Sequence, residues 1–416
     1  MGLGLPSSYP PVAMLPTQVG PSGVRYDFNT GCRVTLPIRE SGVWRVVMRD
    51  LDTNNILFDH ETQGAEVNST KRWFVRFALD VWEIDGATKS LVLSHQFDPT
   101  GHVLLVMFPI GTLGDTIAWF SYVARFARKH AGAKVICALA DRMIPLLAAN
   151  YPELELVTHD DIATRSLAET AYATYYLGLF FDDAALNWQP TDFRFVGLHR
   201  TAGYILGVDP TEEAPRLVPS EATRPIAEPY VVIAVQSSSG AKYWNNPDGW
   251  RAVIALLRTH GYRVVCIDQK PVHGTGMMWT HIPHGCEDET GDRPLAERAR
   301  WLQHADFFIG LSSGLAWLAW AAGCPVVLIS GFTHPSNEFD TPHRVINWHT
   351  CNSCWNDPTE RFDHHDFFWC PRHANTPRQF ECTRLITAEQ VCAAIAAVPG
   401  FRTLVEGQDA GEVAAA

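Results

Sequence analysis

Between Val24 and Gln96 apolar and polar residues alternate with a period close to two, in the runs VTLPI, WRVVMRDL, ILFDH, RWFVRFALDVWEI and SLVLSH. Such alternation marks strands with one buried and one wet face, and the turn signals TNN and DGATK punctuate them. The pattern predicts a small antiparallel barrel or sandwich; a reading as edge strands of the next domain is disfavoured because the runs are consecutive. At His102 the period changes. VLLVMF is a continuous apolar run, as expected of a strand covered on both faces. Helix-patterned DTIAWFSYVARFARKH follows, then the buried strand AKVICALA, a helix from Met143 to Asn150, the strand LELVT and a helix over residues 196–207. Strand–helix alternation of this kind predicts parallel βαβ units.

Asp209 to Pro229 is polar and Pro-rich and reads as an interdomain linker. Alternation then resumes: strand YVVIAVQ, a helix over residues 248–260, strand YRVVCID, helix PLAERARWLQHA, strand DFFIG, helix SGLAWLAWAAG and strand PVVLIS. The expectation is an α/β protein with two α/β halves behind a β module. Its boundaries are a flexible arm over 1–23, the β module over 24–98, a first half over 99–215 and a second over 216–416. A ligand is expected in the cleft between the halves, outside the carboxyl ends of the strands.

The length of 416 residues agrees with two or three domains, and 46% hydrophobic against 19% charged residues describes a globular chain. A net charge of −12 without a long Lys/Arg run argues against nucleic acid as a partner. No apolar run approaches about 20 residues, so no membrane span is expected. Residues 1–23 lack the basic and apolar regions of a secretory signal, which makes the cytoplasm the expected compartment. There the ten cysteines would be reduced, metal-bound or catalytic.

Four of those cysteines fall in one stretch: CNSCW, FWCPRH and FECTR. The C-x2-C spacing of Cys351 and Cys354 lets both thiolates reach one ion from a tight turn, and Cys370 and Cys382 would complete a tetrahedral site. The stretch between them is poor in aliphatics and rich in Asp, His and Pro, so a metal staple would order what cannot build a core. His364, His365 or His373 replacing a Cys is the lesser reading. Tetrahedral thiolate geometry suits zinc or iron, and frequency favours zinc. No position is left for water, so the site reads as structural.

Three loops follow strands of the second half. SSSGAKYWNNPDGW offers hydroxyls, backbone N–H groups and Lys242 to a diphosphate. Asp268, after YRVVCI, is suited to a ribose hydroxyl pair, although a helix cap would explain it too. In SSGLAWLAWAAG, Ser312, Ser313 and Gly314 lie at a helix N-terminus, which attracts anions; an ordinary N-cap explains Ser313 equally well. None of these is a G-x-x-x-x-G-K-[ST] loop. In the first half, Gly111 and Gly114 of GTLGDT lack the G-x-G-x-x-G spacing, which disfavours a kinase or a simple NAD enzyme.

PIGTLGDTIAW resembles the first-domain motif of the ADP-heptose-using glycosyltransferases that build lipopolysaccharide core. ADFFIGLSSGLAWLAWAAGCPVVLISG and the following THPSNEF resemble their second-domain motif. With its N-terminal β module and four-Cys insert, nearly the whole chain is similar to the bacterial autotransporter O-heptosyltransferases. The resemblance implies a GT-B fold, two Rossmann-like domains around a cleft. It also implies one iron ion in the four-Cys site, with zinc the alternative, and self-association into a dodecameric ring. The implied reaction is inverting transfer of heptose from ADP-heptose to serine hydroxyls of an autotransporter adhesin.

In that reading Asp115 is the general base, and Thr112, Leu113 and Gly114 present backbone to the donor. Gln236, Ser238, Lys242 and Asp268 are carried over as donor contacts. The chain departs from the lipopolysaccharide enzymes at Ser312, where they carry an acid, and at Trp317, where they carry a His. The competing expectations are a lipopolysaccharide core heptosyltransferase and a non-catalytic, metal-stabilised scaffold.

Overall fold

The computed structural model describes residues 9–109, 113–217, 223–276 and 278–403. The chain divides into two compact units: Met1–Val218 with Pro335–Phe339, and Pro219–His334 with Asp340–Ala416.

The first unit is built on the strand Val103–Met107, whose residues Leu104 to Met107 are all fully buried. It pairs in parallel with Lys134–Ala138 on one side and with Ala171–Tyr176 on the other, and Glu155–Val157 extends the sheet beyond Lys134–Ala138. Parallel neighbours require crossovers. The first is the helix Leu113–Lys129, which buries Ile117, Trp119, Phe120, Tyr122, Val123 and Phe126. The expected helix over Met143–Asn150 is a broken one. Its pieces are the 3-10 turn Asp141–Met143, the α turn Ile144–Leu147 and the 3-10 turn Ala148–Asn150. The helix expected over 196–207 is Leu198–Leu206, preceded by the turn Phe193–Val196.

The β module is not wholly separate. Val43–Asp50, Ile56–Thr62, Phe77–Asp85 and Thr88–Gln96 form their own four-stranded antiparallel sheet. Arg25–Asn29, however, adds in parallel to Ala171–Tyr176, and Arg33–Thr35 and Glu66–Asn68 continue that larger sheet. The reason is the edge of Ala171–Tyr176, whose six residues are all buried and whose open side needs a partner. Polar bonds fix the join. Asn29 Nδ2 donates to Ala171 O (2.9 Å), and Thr174 Oγ1 donates to Asn29 Oδ1 (2.7 Å). The fully buried Asp27 pairs with Arg33 at 2.6 Å.

The expectation of a flexible arm is likewise corrected for residues 9–23. Tyr9 OH donates to Leu177 O (2.6 Å), Tyr176 OH to Pro10 O (2.8 Å) and Thr17 Oγ1 to Ala171 O (2.7 Å). The Pro-rich linker starts as part of the first unit: Ser121 Oγ donates to Glu213 O (2.6 Å), and Arg125 pairs with Glu213 at 2.7 Å. Pro335–Phe339 also packs here, against Gly197, whose φ is +92°.

In the second unit six parallel strands run in the order Glu287–Asp288, Arg263–Cys266, Tyr230–Ile233, Phe307–Leu311, Val326–Ile329, Arg344–Val345. The crossovers are Gly249–Thr259, Leu295–His304 and Gly314–Ala321, as the apolar pattern predicts. In the first unit Val103–Met107, and in the second Tyr230–Ile233, sits at the point where strand order reverses. That is where ligands enter such sheets.

Asp268, expected at a ribose, is also bonded to the backbone of the neighbouring strand. Its carboxylate is 2% exposed and accepts from Val235 N (2.7 Å), Gln236 N (3.3 Å) and Cys266 Sγ (3.3 Å). It straps the ends of two adjacent strands together, with both oxygens turned away from solvent. Burial raises its pKa to about 6, and the hydrogen bonds from Val235, Cys266 and Gln236 only partly oppose this.

Two outcomes are expected. A Cβ at Gly197 would lie 2.0 Å from Ser336 O. Gly197→Ala therefore destabilises the first unit by roughly 2 kcal/mol or more, seen as a lowered melting temperature. For Asp268, a raised acid pKa means that folding favours the protonated form. The associated stability is present below about pH 4 and is lost as pH rises through about 6. The stability of the parent relative to Asp268→Asn should thus fall across that window, by at most about 3 kcal/mol. Urea titrations at fixed pH read it, and a flat difference would contradict it.

Candidate functional site

Asp115 lies in the first turn of the helix Leu113–Lys129 and is half-buried, as are Leu113 and Gly114. The first N–H groups of a helix have no intrahelical acceptor, so this turn presents donors as well as a carboxylate. Trp119 fixes it from below by donating Nε1–H to Leu198 O (2.6 Å). Thr112 falls outside the described residues. The neighbour that sequence reasoning missed is Tyr9. Burial and then the charge of Asp115 push its hydroxyl pKa up. More than a hundred residues and a Pro-rich stretch separate the two, so no sequence signal links them.

In the second unit the loop after Tyr230–Ile233 carries the candidate donor contacts. Gln236 is buried and donates Nε2–H to Lys270 O (2.8 Å), while Ser238 is exposed. Ser239 caps the short turn Gly240–Lys242 by accepting from Ala241 N (3.2 Å). Lys242 is half-buried, its Nζ 5.7 Å from the ring centre of Phe332 and 5.5 Å from that of Trp355. His364 stands near it: burial and then Lys242 lower its pKa.

Across the reversal point, Ser312 is buried and its Oγ accepts from Thr333 Oγ1 (3.2 Å). Ser313 occupies the N-cap of Gly314–Ala321 in an extended conformation, but its hydroxyl does not cap the helix. That Oγ is buried and has no hydrogen-bond partner among the described residues. The ordinary capping explanation for Ser313 therefore does not apply, and a hydroxyl and the helix's first N–H groups remain together.

The cysteine stretch has little regular structure, with a 3-10 turn at Cys354–Asn356 and a helical turn at Glu381–Arg384. None of the ten cysteines is in a disulfide. Cys351 Sγ, a His373 ring nitrogen and a Glu381 carboxylate oxygen lie within 4.8 Å of one another. Glu381 is already committed: it accepts from Cys351 N (3.1 Å) and pairs with Arg378 at 2.6 Å, and that bond holds its pKa at about 2. The group within 4.8 Å contains one of the four thiols, and the others enter through their electrostatics. Burial and the adjacent Cys351 push Cys354 up to about 12, and Cys382 rises through burial and then the charges of Cys354, Cys351 and Cys370. A thiol, an imidazole and a carboxylate together, with three more thiols on the same segment, are donors suited to a borderline metal such as iron or zinc.

This stretch also supplies an aromatic cluster of Phe332, Trp355, Phe362 and Trp369, with ring centres 5.0–5.7 Å apart. A depression of about 680 Å³ bordered by Gly101, Lys134 and Glu155 opens at the amino ends of the first unit's strands. It is at the wrong end of the sheet for the candidate residues. No helix among the described residues is long and apolar enough to cross a membrane.

Residues 20–85 match the family model described as Glycosyltransferase TibC, N-terminal domain, and residues 206–358 match Glycosyltransferase family 9 (heptosyltransferase). The chain is similar to the autotransporter heptosyltransferase BAHTCr of Citrobacter rodentium. Identity is 51% over 377 residues, covering 91% of this chain and 89% of the relative. Autotransporter heptosyltransferase TibC of Escherichia coli is 52% identical over 376 residues, covering 90% of each. The crystal structure of dodecameric, iron-containing TibC in complex with ADP-D-β-D-heptose matches with a TM-score of 0.87 and 50% identity. That match covers 93% of this chain and 98% of TibC. A further relative, BimC of Burkholderia thailandensis, is described as an inactive autotransporter heptosyltransferase; it is 45% identical over 393 residues, covering 94% of this chain and 90% of the relative. Sharing about half its residues with TibC and BAHTCr along nearly its full length, the chain belongs to the autotransporter heptosyltransferases, glycosyltransferases of family 9.

Proposed function

We propose that the chain transfers heptose from ADP-heptose to serine hydroxyls of an autotransporter adhesin, with inversion at the anomeric carbon. The observation that carries this is its likeness to TibC, whose structure contains ADP-D-β-D-heptose. The match of residues 20–85 to the TibC N-terminal domain favours a protein acceptor over lipopolysaccharide core.

In this reading Lys242 and the amides at Ser313 and Gly314 meet the diphosphate, which gains negative charge as the glycosidic bond breaks. The unpartnered Ser313 hydroxyl supports a polar ligand there. Gln236, Ser238 and Ser312 line the same strand ends, and Leu113 and Gly114 offer backbone to the donor sugar. Asp115 takes the proton from the attacking serine as it adds to the face opposite the leaving ADP. A positioned base of this kind contributes about 10²- to 10⁴-fold.

Cys351, Cys354, Cys370 and Cys382 would hold one iron ion, the metal of TibC, in a structural site. When bound, it cross-links a segment that lacks an aliphatic core. By the same likeness the chain assembles as a dodecamer, and the cytoplasm, where free thiols persist, is its compartment. The relative described as inactive favours one second reading, a chain that binds donor without transferring it.

Asp115→Asn should lower heptose transfer by about 10²-fold or more while ADP affinity changes less than about twofold. Intact mass of a passenger fragment after incubation with ADP-heptose reads the first, and calorimetry the second. Near-normal transfer by the variant removes Asp115 as the base. ADP-heptose binding with no mass gain from the unmodified chain selects the second reading. For the metal, elemental analysis should find about one ion per chain in the parent protein and close to none in Cys370→Ser. Full metal content in that variant would exclude Cys370 as a ligand.

A further inference from the structure

The candidate diphosphate lysine and the metal-bearing segment are in direct contact. Trp355 follows Cys354 immediately, and Trp355 N donates to Phe332 O (3.1 Å) while Ser353 N donates to Gly331 O (2.8 Å). Gly331 itself is pressed onto the Cys382 backbone, where a Cβ would come within 2.2 Å of Cys382 O. The rings of Phe332 and Trp355 are therefore held by the chain that carries the thiols. Lys242 Nζ stands 5.7 and 5.5 Å from those two ring centres.

The rest of the lysine loop hangs on the same segment. Gly240 N donates to Phe367 O (3.0 Å), and Asn245 Nδ2 donates to Thr383 Oγ1 (2.9 Å). Gly240 has no room for a side chain, since a Cβ would lie 2.8 Å from Phe367 O. Aromatic faces attract an ammonium through their quadrupole. The two rings thus bear on where the cation stands.

We propose that Trp355 is a positioning residue for donor binding: its ring, presented by the cysteine segment, holds Lys242 in place for the diphosphate. The segment is then a wall of the donor site as well as a metal mount. This rests on the phosphate role given to Lys242 above. The residue acts through Lys242 and touches neither the donor nor the acceptor.

The test is a double-substitution cycle on the metal-loaded, full-length protein, reading ADP affinity by calorimetry with metal content and melting temperature alongside. Trp355→Leu should weaken ADP binding roughly tenfold with metal content retained, and Trp355→Phe, which keeps a ring face, should restore most of it. In the Lys242→Met background, Trp355→Leu should add nothing, because the residue it positions is gone. Weakening that persists in that background, or a Trp355→Phe variant as weak as Trp355→Leu, overturns the positioning role alone. Unchanged ADP affinity in Lys242→Met overturns the phosphate reading and the positioning role together.

Discussion

Parallel pairing of strands buried on both faces is the constraint from which the rest follows. Val103–Met107 and Tyr230–Ile233 are covered on each side, so their neighbours can be reached only by crossovers, and the connecting helices occupy the faces of the sheet. All the strands of such a set end at the same edge. The residues available for chemistry then collect there, at the reversal point, without any one loop having a strong motif of its own. Asp268 shows how much of that edge is engineering of the backbone. Its carboxylate is spent on the N–H groups of Val235 and Gln236, and the loop beyond them starts from a fixed position.

In the second unit the candidate diphosphate lysine is set among aromatic rings. The chain carries −12 net, and the Lys242 ammonium stands within cation–π reach of two rings, Phe332 and Trp355. Aromatic support suits a residue that must meet a dianion, since it costs none of the positive potential. It also explains why a segment of Asp, His and Pro contains Trp355, Phe362 and Trp369: they pack on one another and on Phe332, giving a small aromatic core where aliphatics are missing. Thiols and rings are then two answers to one deficiency.

Much of this could be read from the residues in order. Continuous apolar runs marked the parallel strands because burial on both faces leaves no polar positions to interrupt them, and amphipathic stretches such as Gly249–Thr259 marked their crossovers. The cysteine-bearing segment was likewise visible, since its spacing is local, while the approach of His373 and Glu381 to Cys351 was not. Strand partnership was not. Arg25–Asn29 alternates like its successors, and only the exposed edge of Ala171–Tyr176 made it part of the parallel sheet.

Sequence by itself determined the α/β class, the two units, the grouping of thiols and the loops that carry Asp115, Lys242 and Ser313, because each depends on residues near one another along the chain. Tertiary structure decided what those groups face. It turned Asp268 inward, put Tyr9 within electrostatic reach of Asp115, left Ser313 Oγ without a partner among the described residues and set Lys242 over Trp355. Those contacts join residues tens to more than a hundred positions apart, and packing, which has no period in sequence, is what selects them.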